Sequence, residues 1–227
     1  MANRRATHNV VVLELAPEHG SVFSFKAGQF VMLRLLNDDG TLWRQEAFSI
    51  CSTPSRTDAI ELAFKIYGPF TQRAAALTPG TVVEIAGPYG TFTLDESAQA
   101  ITFLSGGIGV TPFLSMIRDA TERKLPITMR LLYANHTKED IPYFDELNAL
   151  AKQNPNLTIV HVISQGDVPA GLACESGRMN DAIIQKHGGD PAHTFYYLCG
   201  PPPFMHALSV CLLNSGVSKD RIKLEHF

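Results

Sequence analysis

A glycine-rich segment at residues 105–112 (SGGIGVTP) follows directly on a short apolar run. Gly107 and Gly109 carry no Cβ, so the backbone can turn tightly there and approach a ligand closely. We predict that Thr111 caps a helix and that Pro112 lies in its first turn. Backbone amides at such a helix start attract phosphate groups. The pattern also fits a turn that binds nothing, but its place at the opening of a βαβ pattern favours dinucleotide binding.

A second segment, residues 46–54 (EAFSICSTP), joins an aromatic side chain to a hydroxyl at the end of a predicted strand. The ring of Phe48 can stack on a flat ligand, and the hydroxyl of Ser49 can hydrogen-bond to the ligand's edge. Considered alone, the segment fits better an ordinary strand with one aromatic residue in the core.

A third segment, residues 65–71 (KIYGPFT), leads from a predicted strand into a predicted helix. Gly68 permits a close approach, and Thr71 with the following amides can hold a phosphate group. Considered alone, it fits better a strand–turn–helix junction.

A fourth segment, residues 197–205 (YLCGPPPFM), stands at the end of a predicted parallel strand. Ligands bind in the crevice at the carboxyl ends of such strands, and Cys199 with Gly200 would form its floor. The alternative for Cys199 is a buried structural thiol.

The elements that position these segments change character near residue 97. Before it, short apolar or alternating runs broken by turn residues predict a closed antiparallel β-barrel. After it, strands alternate with helices, which predicts a Rossmann-like parallel sheet with helices on both faces. We therefore predict two domains, residues 1–97 and 98–227, with residues 95–99 as the hinge. The predicted strands are 10–15, 29–36, 47–51, 60–67, 82–86, 101–105, 127–133, 157–163, 194–198 and 222–225. The predicted helices are 71–77, 112–122, 143–152, 180–186 and 202–214.

Composition limits the classes of function. The chain has 227 residues and a formal net charge of -3, which gives no general attraction to nucleic acid or to an anionic membrane. The first apolar run contains Glu14 and is too short for a signal core or a membrane span. None of the four cysteines is spaced as CxxC, so the sequence predicts neither a zinc ribbon nor a cysteine-ligated iron–sulfur cluster. We expect reduced thiols and a cytoplasmic location.

Taken together and in this order, the four segments resemble the ferredoxin–NADP reductase superfamily over essentially the whole chain. Its members combine a flavin-binding β-barrel with a nicotinamide-dinucleotide domain. Their motifs are Arg-x-Tyr-Ser/Thr, Gly-x-x-Ser/Thr, Gly-x-Gly-x-x-Pro and Cys-Gly-Pro. Residues 27–30 (AGQF) and 87–92 (GPYGTF) are lesser matches.

The resemblance implies a flavin site in the first domain. Phe48 would stack on the isoalloxazine, Ser49 would hydrogen-bond near its N5, and Thr71 with neighbouring amides would hold the diphosphate. The resemblance also implies that the aromatic residue near the end of the chain covers the flavin. The flavin-binding residues implied in this way are Phe48, Ser49, Ile50, Lys65, Tyr67, Gly68, Thr71 and Phe227.

The resemblance implies a second site for NADH or NADPH in the other domain. Cys199 would approach the nicotinamide where hydride leaves, and Glu225 would assist proton or hydride handling. With Ser49, these two residues form the implied catalytic set. The dinucleotide-binding residues implied in this way are Gly107, Gly109, Thr111, Pro112, Cys199, Gly200 and Pro201.

One departure from the family pattern concerns the flavin phosphate. The family's arginine aligns with Glu46, whose carboxylate would repel a phosphate group. Arg44 or Arg73 is the candidate substitute. We expect FAD rather than FMN, although Glu46 weakens this preference. The acidic variant of the motif resembles that of flavin subunits of some hydrogenases and sulfur-reducing complexes.

The resemblance predicts a flavin-dependent oxidoreductase that transfers electrons between NAD(P)H and a separate one-electron carrier, such as ferredoxin or flavodoxin. A separate carrier is expected because the chain has no cluster of cysteines typical of a ferredoxin-like domain. The alternatives are an electron-transfer subunit of a larger hydrogenase-like or oxygenase complex, a flavin-free binding module with the same fold, and a free-flavin reductase.

The loop at residues 133–140 (YANHTKED) predicts a modest preference for NADH. NADP-using relatives often have arginine where His136 stands, and a mostly neutral histidine grips a 2′-phosphate much less well. Glu139 and Asp140 also disfavour a phosphate, whereas Lys138 favours one.

Overall fold

The computed structural model describes residues 2–166 and 173–225. It divides into two compact units. Unit 1 comprises Met1–Leu94 together with Thr111–Asp119, and unit 2 comprises Asp95–Val110 together with Ala120–Phe227.

The described part of unit 1 forms two three-stranded antiparallel sheets. One sheet has the strand order β1-β2-β5 and the other β4-β3-β6, and an isolated antiparallel bridge between Ile50 and Leu62 joins the two groups of strands. The predicted antiparallel architecture of this half is confirmed, with hydrogen bonding divided between two sheets. The elements are β1 (Ala2–Arg5), β2 (Val10–Leu15), β3 (Phe30–Leu36), β4 (Leu42–Ser49), β5 (Ile60–Lys65), α1 (Pro69–Ala75) and β6 (Glu84–Tyr89).

The core of unit 1 follows from the two-residue period of its strands. Val11 and Leu13 of β2 and Val31 and Leu33 of β3 are almost fully buried. Alternate side chains point to one face of a strand, so one apolar face of each strand lines the same core. Phe70 of α1 packs into this core cluster.

Unit 2 contains a six-stranded parallel sheet with the order β10-β9-β8-β7-β11-β12. The prediction of a parallel α/β domain is confirmed. Helix α2 (Thr111–Glu122) begins in unit 1 and ends in unit 2. The strands are β7 (Ala100–Gly106), β8 (Thr128–Asn135), β9 (Leu157–Ile163), β10 (Cys174–Ser176), β11 (Thr194–Cys199) and β12 (Ile222–Glu225). The remaining α-helices are α3 (Phe144–Gln153), α4 (Asp181–His187) and α5 (Pro202–Asn214).

One face of the parallel sheet is apolar. Leu104, Leu132 and Leu198 belong to a buried cluster that includes Leu208 and Leu212 of α5. Because side chains alternate along a strand, the residues next to these leucines point to the opposite face. Ser105 and Cys199 are among them.

The largest difference in element bounds lies in β4, which begins at Leu42 rather than at residue 47. It begins with the apolar Leu42 and Trp43, but the polar and exposed Arg44 and Gln45 follow, so this half of the strand carries no continuous or alternating apolar run. Strands β1 and β10 were not predicted, since neither carries an apolar run. No helix in the described ranges, 2–166 and 173–225, is long and apolar enough to cross a membrane.

Candidate functional site

The hydroxyl of Ser49 is the clearest mark of a ligand in unit 1. Ser49 ends β4, is only 2% exposed, and its Oγ has no hydrogen-bond partner among the described residues. A buried polar atom left without a partner costs about 1–3 kcal/mol. A ligand atom bonded to this hydroxyl would recover that cost, and the residue therefore fits the flavin contact that the family motif implies.

The neighbours of Ser49 face the protein interior. The ring of Phe48 packs against Phe64 with 5.2 Å between centroids and stacks on Phe70 at 5.9 Å, and it is 9% exposed. Ile50 is fully buried, and its N–H donates to the carbonyl of Gln29. Most of the Phe48 ring is thus engaged in the core, and its stacking on a flavin stays a prediction.

The hydroxyl of Thr71 is fully used by the turn before α1. Its Oγ1 accepts hydrogen bonds from the N–H groups of Tyr67 and Gly68, both at 3.1 Å, and donates to the Gly68 carbonyl at 3.0 Å. A hydroxyl has one donor and two acceptor sites, so none is left for a diphosphate. Gly68 has open space around the position of a Cβ, while Lys65 and Tyr67 are exposed at the end of β5.

Arg44 and Arg73, the two candidate substitutes for the family's arginine, both have partners in unit 1. The guanidinium of Arg73 lies 4.6 Å from the ring centroid of Trp43 and donates to the Leu36 carbonyl at 2.6 Å. Arg44 approaches Glu46 with 3.9 Å between Nε and Oε1. This second pair is exposed and contributes little, so Arg44 can leave it at small cost.

In unit 2 the glycine-rich segment forms a 3-10 turn at Gly107–Val110, which runs directly into α2. The prediction of Thr111 as an N-cap is wrong by one residue, because the preceding turn is already helical and Thr111 is the first residue of α2. Thr111 and Pro112 are both buried and belong to unit 1.

Two glycines of this segment differ in their surroundings. A Cβ on Gly109 would lie 2.3 Å from the carbonyl oxygen of Cys199, whereas Gly107, with a φ of +55°, has open space around it. Gly106 lies against Pro201, and a Cβ on Gly200 would lie 3.1 Å from the Gly106 nitrogen. The fold therefore brings the glycine-rich segment and residues 199–201 together, as the family's dinucleotide site requires.

Tyr133, in the neighbouring strand β8, forms a hydrogen bond to the glycine-rich turn. Its hydroxyl donates to the Gly107 carbonyl at 2.9 Å, and burial raises the pKa of Tyr133 well above the ordinary value, which keeps this hydroxyl a donor. Sequence reasoning placed Tyr133 in a nucleotide-contacting loop but missed this bond, because only the register of β7 and β8 brings it to Gly107.

A single row of polar side chains crosses the whole parallel sheet. Adjacent strands pair these residues directly, and directly paired residues of neighbouring strands point to the same face. From β10 to β12 the row is Cys174, His161, Tyr133, Ser105, Cys199 and Glu225. Of these residues, only Cys199 and Glu225 were predicted from the sequence to be reactive.

The electrostatics of the row favour uncharged side chains. Burial, and secondly the neighbouring Glu225 carboxylate, raise the pKa of the Cys199 thiol, so the thiol stays protonated. Burial also raises the pKa of Glu225 from an ordinary 4.5 to about 7. The Ser105 hydroxyl beside Cys199 is buried without a hydrogen-bond partner in the described structure.

His161 is a further buried member of the row. Its ring lies 6.2 Å from that of Tyr133 and 5.2 Å from that of Phe144, and neither ring nitrogen has a partner within the described ranges. Burial lowers the pKa of His161 to about 4, so the ring is neutral at physiological pH. Groups of three or more potential metal ligands are absent from the described residues. The remaining implied site residue, Phe227, lies outside the described residues.

Comparison with known families gives two matches, in the order that the fold requires. A model described as the oxidoreductase FAD-binding domain matches residues 2–94, and one described as the oxidoreductase NAD-binding domain matches residues 103–209. The chain therefore joins an oxidoreductase FAD-binding domain to an oxidoreductase NAD-binding domain, the pairing that its resemblance to the ferredoxin–NADP reductase superfamily implies.

Curated relatives include reductase components of monooxygenases. The reductase component of propane 2-monooxygenase from Mycolicibacterium smegmatis is 32% identical, over 97% of this chain and 64% of its own length. The reductase component of phenol 2-monooxygenase from a Pseudomonas species is 31% identical, over 89% of this chain and 58% of its own. The chain thus spans less than two thirds of these relatives.

Solved structures share the fold across the chain. The FAD/NAD-binding domain of nitric oxide dioxygenase from Vibrio cholerae has a TM-score of 0.88 at 20% identity, covering 100% of this chain and 95% of that chain. A ferredoxin NADP+ reductase from Neisseria gonorrhoeae with bound FAD and NADP has a TM-score of 0.84 at 22% identity, covering 98% of this chain and 94% of that chain.

Proposed function

We propose that the chain is a flavin-dependent NAD(P)H oxidoreductase that passes electrons to a separate one-electron carrier or oxygenase component. The observation that carries the proposal is the buried, unpartnered hydroxyl of Ser49 at the end of β4. The relatives that are named as reductase components of monooxygenases support a protein partner for the electrons.

When bound, FAD supplies the conversion between two-electron transfer from a nicotinamide and one-electron transfer to a carrier. The Ser49 hydroxyl would donate a hydrogen bond to the flavin ring. Gly68 and Gly107 let the backbone approach the phosphates, since each has open space where a side chain would stand. The Cys199 thiol, kept neutral by its raised pKa, offers an uncharged surface rather than a nucleophile. With a pKa of about 7, Glu225 can hold or release a proton beside it.

Replacement of Ser49 by alanine tests the proposal. In the apoprotein S49A removes an unsatisfied buried hydroxyl, so the midpoint of thermal unfolding should stay unchanged or rise. The same variant should bind FAD about fivefold more weakly, since one hydrogen bond is worth about 1 kcal/mol. Ser209, whose hydroxyl donates to the Met205 carbonyl within α5, provides the control S209A.

Anaerobic titration of the purified chain with NADH completes the test. Flavin absorbance that bleaches on addition of NADH supports an oxidoreductase. If the purified chain binds no FAD when FAD is added in excess, the alternative of a flavin-free binding module is supported instead. Isolation of the native complex then distinguishes a reductase with a separate carrier from a docked electron-transfer subunit. A cytoplasmic location belongs to the same proposal, and cell fractionation tests it.

The loop after β8 supports a preference for NADH within this function. Nδ1 of His136 lies 3.2 Å from the Ser164 hydroxyl, and Lys138 lies over the ring of Phe144, with its Nζ 5.0 Å from the centroid. The Asp140 carboxylate accepts hydrogen bonds from the Thr137 N–H and hydroxyl at 3.1 Å. The basic side chains of this loop are thus engaged, and a negative charge stays beside them. With ferricyanide as acceptor, a higher kcat/KM for NADPH than for NADH would overturn this preference.

A further inference from the structure

Two side chains of helix α2 form hydrogen bonds to the segment that directly follows β4. The Ser115 hydroxyl donates to the Ser52 carbonyl at 2.7 Å, and Nη1 of Arg118 donates to the Cys51 carbonyl, also at 2.7 Å. The same Nη1 lies 3.0 Å from Oε1 of Glu61 in β5. We call these five residues the α2 clamp, and all of them belong to unit 1.

The clamp closes through the backbone as well. The N–H of Cys51 donates to the Glu61 carbonyl at 2.7 Å, and the N–H of Glu61 donates to the Ser52 hydroxyl at 3.1 Å. Ser115 and Arg118 stand three residues apart and therefore share one face of the helix. Every member except Ser115 is held by at least two others, so the segment after β4 cannot shift along α2 without breaking the bonds of both Ser115 and Arg118.

The ion pair of the clamp is buried, with 15% of the Arg118 side chain and 10% of the Glu61 side chain exposed. Removing two charges from water is costly, and such a pair is often no more stabilising than apolar residues of the same volume. Stability alone therefore explains this pair poorly. A single guanidinium nitrogen that donates to both a carbonyl and a carboxylate does explain it, because these two bonds fix its position.

The clamp joins two segments that each carry a candidate binding region. Cys51 comes two residues after Ser49, and Arg118 stands on the helix that begins at Thr111. We propose that Arg118 is a positioning residue, which sets the placement of the flavin-contacting end of β4 relative to the dinucleotide-contacting start of α2. This inference rests on the proposed function, since it assigns those two regions to flavin and nicotinamide dinucleotide.

The test is single-turnover reduction of the FAD-loaded protein by NADH, followed anaerobically in the variants R118M and R118K. A misplacement of about 1 Å can slow a reaction about a hundredfold, so R118M should reduce its flavin about 10–100-fold more slowly. Flavin content and the dissociation constant for NADH should change less than about threefold, because neither binding region loses a contact. R118K keeps the charge but not the rigid, planar guanidinium, and should be intermediate in rate.

The matched control is R123M. Arg123 forms a two-pronged pair with Glu96, at 2.7 and 2.8 Å, but both side chains are about half exposed. Its loss should leave the reduction rate unchanged. Hydrogen–deuterium exchange of the apoproteins gives a second readout, in which R118M but not R123M should speed exchange in residues 49–53 and 111–118.

The possible outcomes distinguish failure of this inference from failure of the proposed oxidoreductase function. If NADH does not reduce the wild-type flavin, the proposed function fails. If NADH reduces the wild type, while R118M and R118K both keep its rate and exchange pattern, Arg118 is not a positioning residue. Should R118M fail to fold, R118K and S115A decide the question by the same two measurements.

Discussion

Two strand–helix junctions, each predicted to approach a phosphate group, are built in opposite ways. In the first, residues 65–71 of unit 1, the side chain of Thr71 fixes the turn by bonding to its own backbone. In the second, residues 105–110 of unit 2, the absence of a side chain fixes the turn, because Gly109 lies against the backbone of residues 199 and 200. Tyr133 then adds one bond from a neighbouring strand.

The difference shows that such a motif mixes positions that the fold requires with positions that the fold leaves open. Thr71 and Gly109 are required by the fold whether or not a ligand binds. Gly68 and Gly107 have open space around them, so their small size serves no packing purpose at the position of a Cβ. Substitutions at the first pair should act on stability alone, whereas substitutions at the second pair should also act on ligand affinity.

The largest effect is expected from Gly109→Ala in the second junction. The new Cβ would lie 2.3 Å from the Cys199 oxygen and 2.8 Å from the Gly200 nitrogen, so backbone must move. Overpacking costs about 1–3 kcal/mol, and a contact with rigid backbone belongs at the upper end. Thermal unfolding of the apoprotein should shift down by about 6–12 °C. An unshifted midpoint would mean that Gly109 is not a structural position.

The next effect is expected from Thr71→Val in the first junction. Valine keeps the shape but leaves the N–H groups of Tyr67 and Gly68 without their acceptor. Each unsatisfied donor costs about 1–3 kcal/mol when buried and less where water reaches it, so we expect a loss of about 2 kcal/mol in the free energy of unfolding. Thr71→Ser keeps the hydroxyl and is the control. Equal stability of the two variants in urea would contradict the structural role of this hydroxyl.

The division between these roles was not visible in the sequence. The four segments and the change from antiparallel to parallel strands were predictable, since β2, β9, α5 and β12 carry clear patterns and have the predicted bounds. A motif cannot tell whether the Thr71 hydroxyl faces a ligand or its own backbone, because both uses require the same residue. The partners of Gly109 and Tyr133 depend on strand order and register, which residue spacing does not specify.

A smaller and more selective effect is expected at the open glycines. Gly68 has an extended φ of -146°, so Gly68→Ala should leave the free energy of unfolding within about 0.5 kcal/mol of wild type. Gly107→Ala must hold alanine at a φ of +55° and should cost about 1–2 kcal/mol. If the backbone approaches phosphates at both junctions, G68A should weaken FAD binding and G107A should weaken NADH binding. Calorimetric titration of each variant with both ligands measures these affinities. Unchanged affinities, or weaker NADH binding by G68A and weaker FAD binding by G107A, would contradict the prediction.

The last effect concerns pH and belongs to unit 2, where Cys199 lies beside both Gly109 and Glu225. Burial raises the pKa of Glu225 from 4.5 to about 7 in the folded protein, so the folded state favours the protonated carboxyl. The cost of ionising it is absent below about pH 4.5 and fully present above about pH 7. Stability should therefore fall as the pH rises through that window. Because Glu225 is only half-buried, solvent screening should keep the loss under about 2 kcal/mol.

Glu225→Gln removes this titration and isolates its contribution. The difference in free energy of unfolding between wild type and E225Q should change between pH 4.5 and 7.5, with the wild type losing stability relative to the variant as the pH rises. The Asp220 carboxylate, whose pKa is lowered by a hydrogen bond from the Ser218 hydroxyl, titrates below this window, so D220N should leave the profile between pH 4.5 and 7.5 unaltered. Flavin reduction by NADH should follow the same group, with an apparent pKa near 7 that E225Q abolishes. FAD binding at the first junction should show no such dependence. A wild-type stability profile parallel to that of E225Q would show that the Glu225 carboxyl is solvated in the folded protein and takes no part in the chemistry beside Cys199.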